Sequence, residues 1–109
     1  MTSRSAVTLF PDMLAAIEAI HSYRAALRGD GRALAIDAIK YHLVVIGEAV
    51  GNLSAEARMQ APEVPWASIK GLRNLLTHEY FDIREELLIE IIEGDDLLQL
   101  EAVARRLSN

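Results

Sequence analysis

The chain of 109 residues contains no cysteine, so neither disulfides nor thiolate metal sites are open to it. Long hydrophobic runs are missing too. Leu43 to Ile46 is a run of four, far short of the roughly 20 apolar residues that span a bilayer. Met1 to Thr8 is largely polar, and the apolar residues that follow are interrupted by Pro11 and Asp12. No secretory signal is therefore expected, and a reducing cytoplasmic location with no membrane partner is the default. There is no glycine-rich phosphate loop and no nucleophilic serine motif. His21, His42 and His78 are scattered, with no His-x-x-x-His pair or carboxylate cluster to join them, so neither a metal nor another cofactor is expected.

Basic charge is the other scarcity. The net charge is −5, and its distribution is uneven. Residues 1 to 84 carry nine acids and nine bases, whereas residues 85 to 109 carry seven acids and two bases. Affinity for phosphate rests on clustered Lys and Arg. The chain is thus a poor general nucleic-acid binder, and any RNA must be held locally, away from the acidic C-terminal end.

Apolar residues are abundant, at 51% of the chain. A single small soluble domain over residues 1–109 is expected, burying about two thirds of its unfolded surface. No segment alternates with period two over a useful length, and the apolar spacings are helical. The first eight residues read as a flexible start, with Thr8 as cap of a first helix. Phe10, Met13, Leu14, Ile17, Ile20 and Leu27 give that helix its apolar face, and Gly29-Asp30-Gly31 ends it with residues that accept positive φ. His21 and Tyr23 read as partly buried surface residues. A second helix is expected from about Arg32 to Leu53, with Ile36, Ile39, Leu43, Ile46, Val50 and Leu53 as a heptad-like seam. Val44 and Val45 extend its apolar surface, so it is either central or shared with a partner subunit. Gly47 and Gly51 cost helix stability and suggest close approach by another helix. Ser54 suits the N-cap of a short helix over Ala55 to Gln60. Pro65 suits the first turn of a fourth helix, which carries Trp66, Ile69, Leu72 and Leu76 and finishes near Tyr80. Asp82 with Glu85 resembles a capping box opening a fifth helix, kinked near Gly94-Asp95-Asp96. The expected fold is all-α, an antiparallel bundle of four to five helices.

The chemistry concentrates in Gly71-Leu72-Arg73-Asn74-Leu75-Leu76-Thr77-His78-Glu79-Tyr80-Phe81. Asn74 and His78 are four apart and share a helix face, and Arg73 is long enough to reach the same space. Arginine binds phosphate oxygens bidentately and keeps its charge; histidine suits proton transfer near neutrality. The set could serve metal-independent RNA cleavage, and a two-fold dimer would supply a pair of such histidines across one cleft. Spacing by itself leaves a surface arginine and a structurally satisfied histidine open as well. Glu48, beside Gly47, reads either as a solvated acid or as a residue lining the site.

The motif Gly71-Leu72-Arg73-Asn74-x-x-x-His78-x-Tyr80-Phe81 follows Pro62-Glu63-Val64-Pro65-Trp66. With the stretch Val45-Ile46-Gly47-Glu48-Ala49-Val50 and Leu53-Ser54, it resembles the HepT-like branch of the HEPN superfamily. The likeness covers about residues 9 to 105. It implies an all-α homodimer and a metal-independent endoribonuclease acting as the toxin of a type VII-like toxin–antitoxin pair. It further implies a cognate minimal nucleotidyltransferase antitoxin of the MntA type that places AMP on the motif tyrosine. Carried onto this chain, Arg73 and His78 are catalytic, Asn74 and Glu48 support them, and Tyr80 is the modified residue. The RNA, with tRNA and mRNA both open, is not named by the likeness. The chain departs from the pattern where many members have Arg-Asn-Leu-Glu, here Tyr41-His42-Leu43-Val44, and where a proline often follows the acidic pair, here Leu97. If the missing arginine helps those relatives hold RNA, this chain holds it differently. Two other readings remain at this level: a non-catalytic substrate-binding or partner subunit of a nucleotidyltransferase complex, and a plain structural helical protein.

Overall fold

The computed structural model describes residues 6–108, and the expected flexible start falls mostly outside them. Among the described residues all regular structure is helical: α1 (Ala6–Tyr23), a 3₁₀ turn (Ala25–Arg28), α2 (Arg32–Gly51), α3 (Ala55–Met59), α4 (Trp66–His78), α5 (Glu85–Glu93) and α6 (Asp95–Leu107). α2 lies between α1 and α4, and α6 packs on the other side of α1. This accounts for an α2 that is apolar on more than one side. Its seam residues Ile36, Ile39, Leu43, Ile46 and Val50 are all buried, as is Leu53 just beyond it. They meet Phe10, Met13, Ile17 and Ile20 from α1, Leu76 from α4, Leu88 from α5 and Leu100 from α6 in one continuous core.

Several boundaries differ from the sequence expectation. α1 already runs through Thr8, beginning by Ala6, so Thr8 is not its cap. It stops at Tyr23, and the backbone tightens into 3₁₀-type bonds: Arg24 N–H to His21 O satisfies a carbonyl that the helix end would strand, and Leu27 N–H to Arg24 O and Gly29 N–H to Ala26 O continue the turn. Among the described residues no φ is positive, so the Gly29-Asp30-Gly31 turn does not use the left-handed freedom of glycine. Arg32 secures this corner instead, donating to Leu27 O and to Glu85 Oε2, each at 2.6 Å.

Ser54 caps α3 as expected, accepting from Ala57 N–H at 3.1 Å. The indole N–H of Trp66 donates to Arg58 O and Ala61 O, fixing the proline-containing loop against the start of α4. Asp82 does not cap α5. The flanking position is Arg84, in extended backbone and without a side-chain cap bond. Asp82 N–H closes a turn onto Glu79 O, and buried Ile83 anchors the chain before the helix. At Gly94 the expected kink is a full break between α5 and α6.

His21 and Tyr23 serve the packing of the helices. His21 Nε2 lies 3.0 Å from Glu101 Oε1, joining α1 to α6, and this hydrogen bond holds the Glu101 carboxyl below its usual range. Tyr23 stacks on His42 of α2.

Candidate active site

The motif helix α4 seats its apolar side on the core through Ile69 and Leu76, with Leu72 and Leu75 packed at the edge. Its remaining side carries Lys70, Arg73, Asn74, Thr77 and His78. Residue type decides the division: at about 100° per residue, the apolar residues share one arc and the polar ones the other.

Arg73 is where α4 meets α2. A Cβ built on Gly47 would stand 2.6 Å from the Arg73 Cβ and 3.2 Å from its Cα, a separation that real side chains do not reach. Gly47 is therefore glycine because the α4 backbone comes this close. Gly51, one turn on, is looser, with only Arg73 Nε at 4.0 Å. The next residue, Glu48, accepts from Arg73 Nε at 2.8 Å. Glu48 is thus paired with Arg73 across the α2–α4 contact. The geometry matters chemically, because Glu48 engages the inner nitrogen alone. The two terminal amino groups stay available for bidentate donation, on a side chain that is 35% exposed.

Asn74 and His78 are exposed on the outer face, about 40° apart around the helix. Arg73 and His78, five apart, diverge by about 140°, and among the described residues no contact joins them. One chain therefore does not close Arg73, Asn74 and His78 around a single point. His78 is the last helical residue, followed by Glu79 at φ −118°, ψ 22°.

Tyr80 lies beyond the helix end, where the helical constraint on its direction is gone. Its position is set by Lys40, the one buried charged residue among those described. Lys40 Nζ donates to Tyr80 O at 3.0 Å and sits 5.5 Å from the centre of the Tyr80 ring, within cation–π reach. Tyr80 is half-buried, and its hydroxyl makes no hydrogen bond among the described residues. α2 and α4 run antiparallel here: seven residues back from Gly47 is Lys40, and seven forward from Arg73 is Tyr80. Sequence reading missed Lys40, although a lysine set inside the apolar seam beside Ile36, Ile39 and Leu43 was a visible sign.

Residues 13–107 match the family model described as Ribonuclease HepT-like. The chain belongs to this family. Among curated relatives, "Putative RNase TTE0752" of Caldanaerobacter subterraneus is 46% identical over 50 residues, covering 46% of this chain and 45% of the relative. "Putative RNase MJ1380" of Methanocaldococcus jannaschii is 43% identical over 53 residues, 49% of each chain. "Probable ribonuclease HepT" of Thermococcus cleftensis is 32% identical over 53 residues, covering 49% of this chain and 48% of the relative. The matches span about half the length of these relatives. No solved structure matches. In this HepT-like chain the motif helix is set against α2 by the close contact around Gly47, Glu48 and Arg73. Among the described residues no helix is long and apolar enough to cross a membrane.

Proposed function

We propose that this chain is a ribonuclease, a single HepT-like domain that cleaves RNA without a metal. The observation that carries the reading is the Glu48–Arg73 pair, which orients a guanidinium and leaves its terminal nitrogens free on the helix whose outer face carries the exposed Asn74 and His78. In the reaction a base takes the proton of a ribose 2′-hydroxyl, the 2′ oxygen attacks phosphorus, and the bond to the 5′ oxygen breaks. The products are a 2′,3′-cyclic phosphate and a 5′-hydroxyl. His78 is the group suited to move the proton. Arg73 stabilises the charge gathering on the phosphoryl oxygens, and Asn74 positions the substrate. Because the nucleophile is the substrate's own hydroxyl, no metal-bound water is required. Incubating the protein with RNA in excess EDTA and identifying the termini by mass spectrometry tests this. Cyclic-phosphate ends support it; cleavage only after added metal, or 5′-phosphate products, would overturn the metal-free scheme.

The proton must also be returned to the leaving oxygen, and one chain carries a single motif histidine. A two-fold homodimer supplies the second. Val44 and Val45 are only partly buried, and Tyr41 is 58% and Leu34 78% exposed. Leu34, Tyr41 and Val45 recur at spacings of seven and four along α2, a stripe left over after the core is satisfied, but Leu34 and Tyr41 precede the Leu43 to Gly51 stretch and Val45 points away from Gly47, where α4 packs. Of the expected interface from Leu43 to Gly51 with the motif helix, Leu43, Ile46, Gly47, Ala49 and Val50 are buried within one chain, which leaves Val44, Val45, Glu48 and Gly51 with the motif helix to meet a partner. Sedimentation at micromolar concentration should give twice the 12.1 kDa of one chain; a monomer there counts heavily against a shared cleft.

The biological setting we infer is a cytoplasmic toxin, silenced by a minimal nucleotidyltransferase that transfers AMP to Tyr80. A free hydroxyl on a residue just past the helix end is a suitable acceptor. The added phosphodiester would carry a negative charge into the space before Arg73, where it could pair with the guanidinium and block substrate. Incubation with the cognate nucleotidyltransferase and ATP is expected to add AMP mass to the wild type and none to Tyr80→Phe. Equal labelling of both proteins would remove Tyr80 from the scheme. The acidic α5–α6 end supports a second reading, a non-catalytic subunit that assembles with the nucleotidyltransferase; binding to that enzyme with no RNA cleavage under any condition would favour it.

A further inference from the structure

Two residues that the cleavage scheme does not use stand near the start of the motif helix and just beyond its end. Lys70, Asn74 and His78 succeed one another at intervals of four, about 40° and 6 Å apart per step, so they form a nearly straight exposed row along α4. Lys70 is exposed, and among the described residues no carboxylate pairs with it. Beyond the helix end, three residues after His78, stands Phe81, 93% exposed.

Phe81 is held in that position. The turn that carries it is closed by Asp82 N–H to Glu79 O at 2.9 Å, and the preceding residue is pinned by Lys40 through its carbonyl. The Tyr80 ring meets Phe81 edge-to-face, with centroids 5.4 Å apart and planes at 74°. So the turn and the Tyr80 contact fix the direction of the ring while nearly all its surface faces solvent. Glu79 and Asp82 flank it, which disfavours a phosphate there and leaves a base as the nucleic-acid group suited to the ring.

We propose that the outer face of α4 is a track for single-stranded RNA, in which Lys70 holds a backbone phosphate at one end and Phe81 stacks a base at the other. The strand then runs past Asn74 and His78 between two fixed points. The inference rests on the ribonuclease reading and adds the strandedness of the substrate and two binding residues to it. It also explains how a chain of net charge −5 can hold RNA: one local cation supplements Arg73, and stacking, which needs no charge, does the rest.

Binding is read by fluorescence anisotropy with a labelled single-stranded adenosine decamer, in a His78→Ala background so that the strand survives, at several salt concentrations. Phe81→Ala and Phe81→Leu are each expected to weaken binding about 5- to 150-fold, the loss of one base–aromatic stack, with the salt dependence unchanged; Phe81→Trp retains affinity. Lys70→Ala is expected to lower the slope of log K against log salt by about 0.7, one phosphate contact on a single strand, and Lys70→Arg restores it. A fully paired duplex should bind no differently to the Phe81 variants and the parent. Unchanged affinity in Phe81→Leu, or an unchanged slope in Lys70→Ala, overturns the track while the ribonuclease reading stands. A change of sedimentation in Phe81→Ala assigns the ring to an interface between copies and also overturns it. If wild type cleaves no RNA and the parent variant binds none, it is the ribonuclease reading that fails.

Discussion

Purified His78→Ala and Arg73→Ala proteins are each expected to cleave RNA about 10²–10⁴-fold more slowly than wild type, the usual loss on removing a general acid–base group or a charge-stabilising donor. Both should lose growth inhibition on expression. Neither should lose its fold: His78 is exposed with no hydrogen bond among the described residues, and the Glu48–Arg73 pair is partly solvated, a class of ion pair worth about 0–1 kcal/mol. Circular dichroism and urea melts close to wild type would separate chemistry from stability. Arg73→Lys should recover little, because an ammonium cannot reproduce the fork that Glu48 orients. Glu48→Ala is expected to fall between, since the guanidinium remains but loses its fixed direction. Wild-type cleavage rates in both His78→Ala and Arg73→Ala would take these residues out of the mechanism.

Gly47→Ala is expected to be the most damaging single methyl group in the protein. The new Cβ would stand 2.6 Å from Arg73 Cβ and 3.2 Å from Arg73 Cα. Rotating the arginine cannot relieve a clash with its own Cβ and backbone, so α4 must move off α2. Overpacking of this kind costs about 1–3 kcal/mol, against the roughly 0.5–1 kcal/mol that Gly→Ala ordinarily contributes inside a helix. The same displacement tilts Arg73 away from Glu48, so activity should fall along with stability. Gly71→Ala on α4 is the matched control: nothing lies within 4 Å of its added Cβ, and it should stabilise by about 0.5–1 kcal/mol. Urea midpoints for the two variants should therefore move in opposite directions. A Gly47→Ala protein as stable and active as wild type would show that the two helices do not pack this tightly.

Local pattern carried the helices well because their signals are local. The α2 seam from Ile36 to Val50 depends only on helical spacing, and Ser54 caps within its own three residues, so both could be read before any fold was known. The errors lie where several local solutions compete. Asp82 and Glu85 had the spacing of a capping box, but burial of Ile83 and the Arg32–Glu85 contact placed the start of α5 elsewhere. Gly29 and Gly31 suggested a left-handed helix stop, yet 3₁₀ tightening satisfied the carbonyls without one.

The sequence by itself determined the all-α class, the apolar seam of α2, the family and the motif that carries the candidate catalytic residues. These follow from periodicity and from residue types within one short stretch. Only the tertiary structure decided that Glu48 takes the inner nitrogen of Arg73, and that Gly47 is the point where α4 closes on α2. The same holds for Lys40, 40 residues from Tyr80, which sets where the tyrosine and the open face of Phe81 stand. Each of these contacts joins positions far apart in the chain, so its geometry depends on how α2 and α4 pack, and no spacing within either helix encodes it.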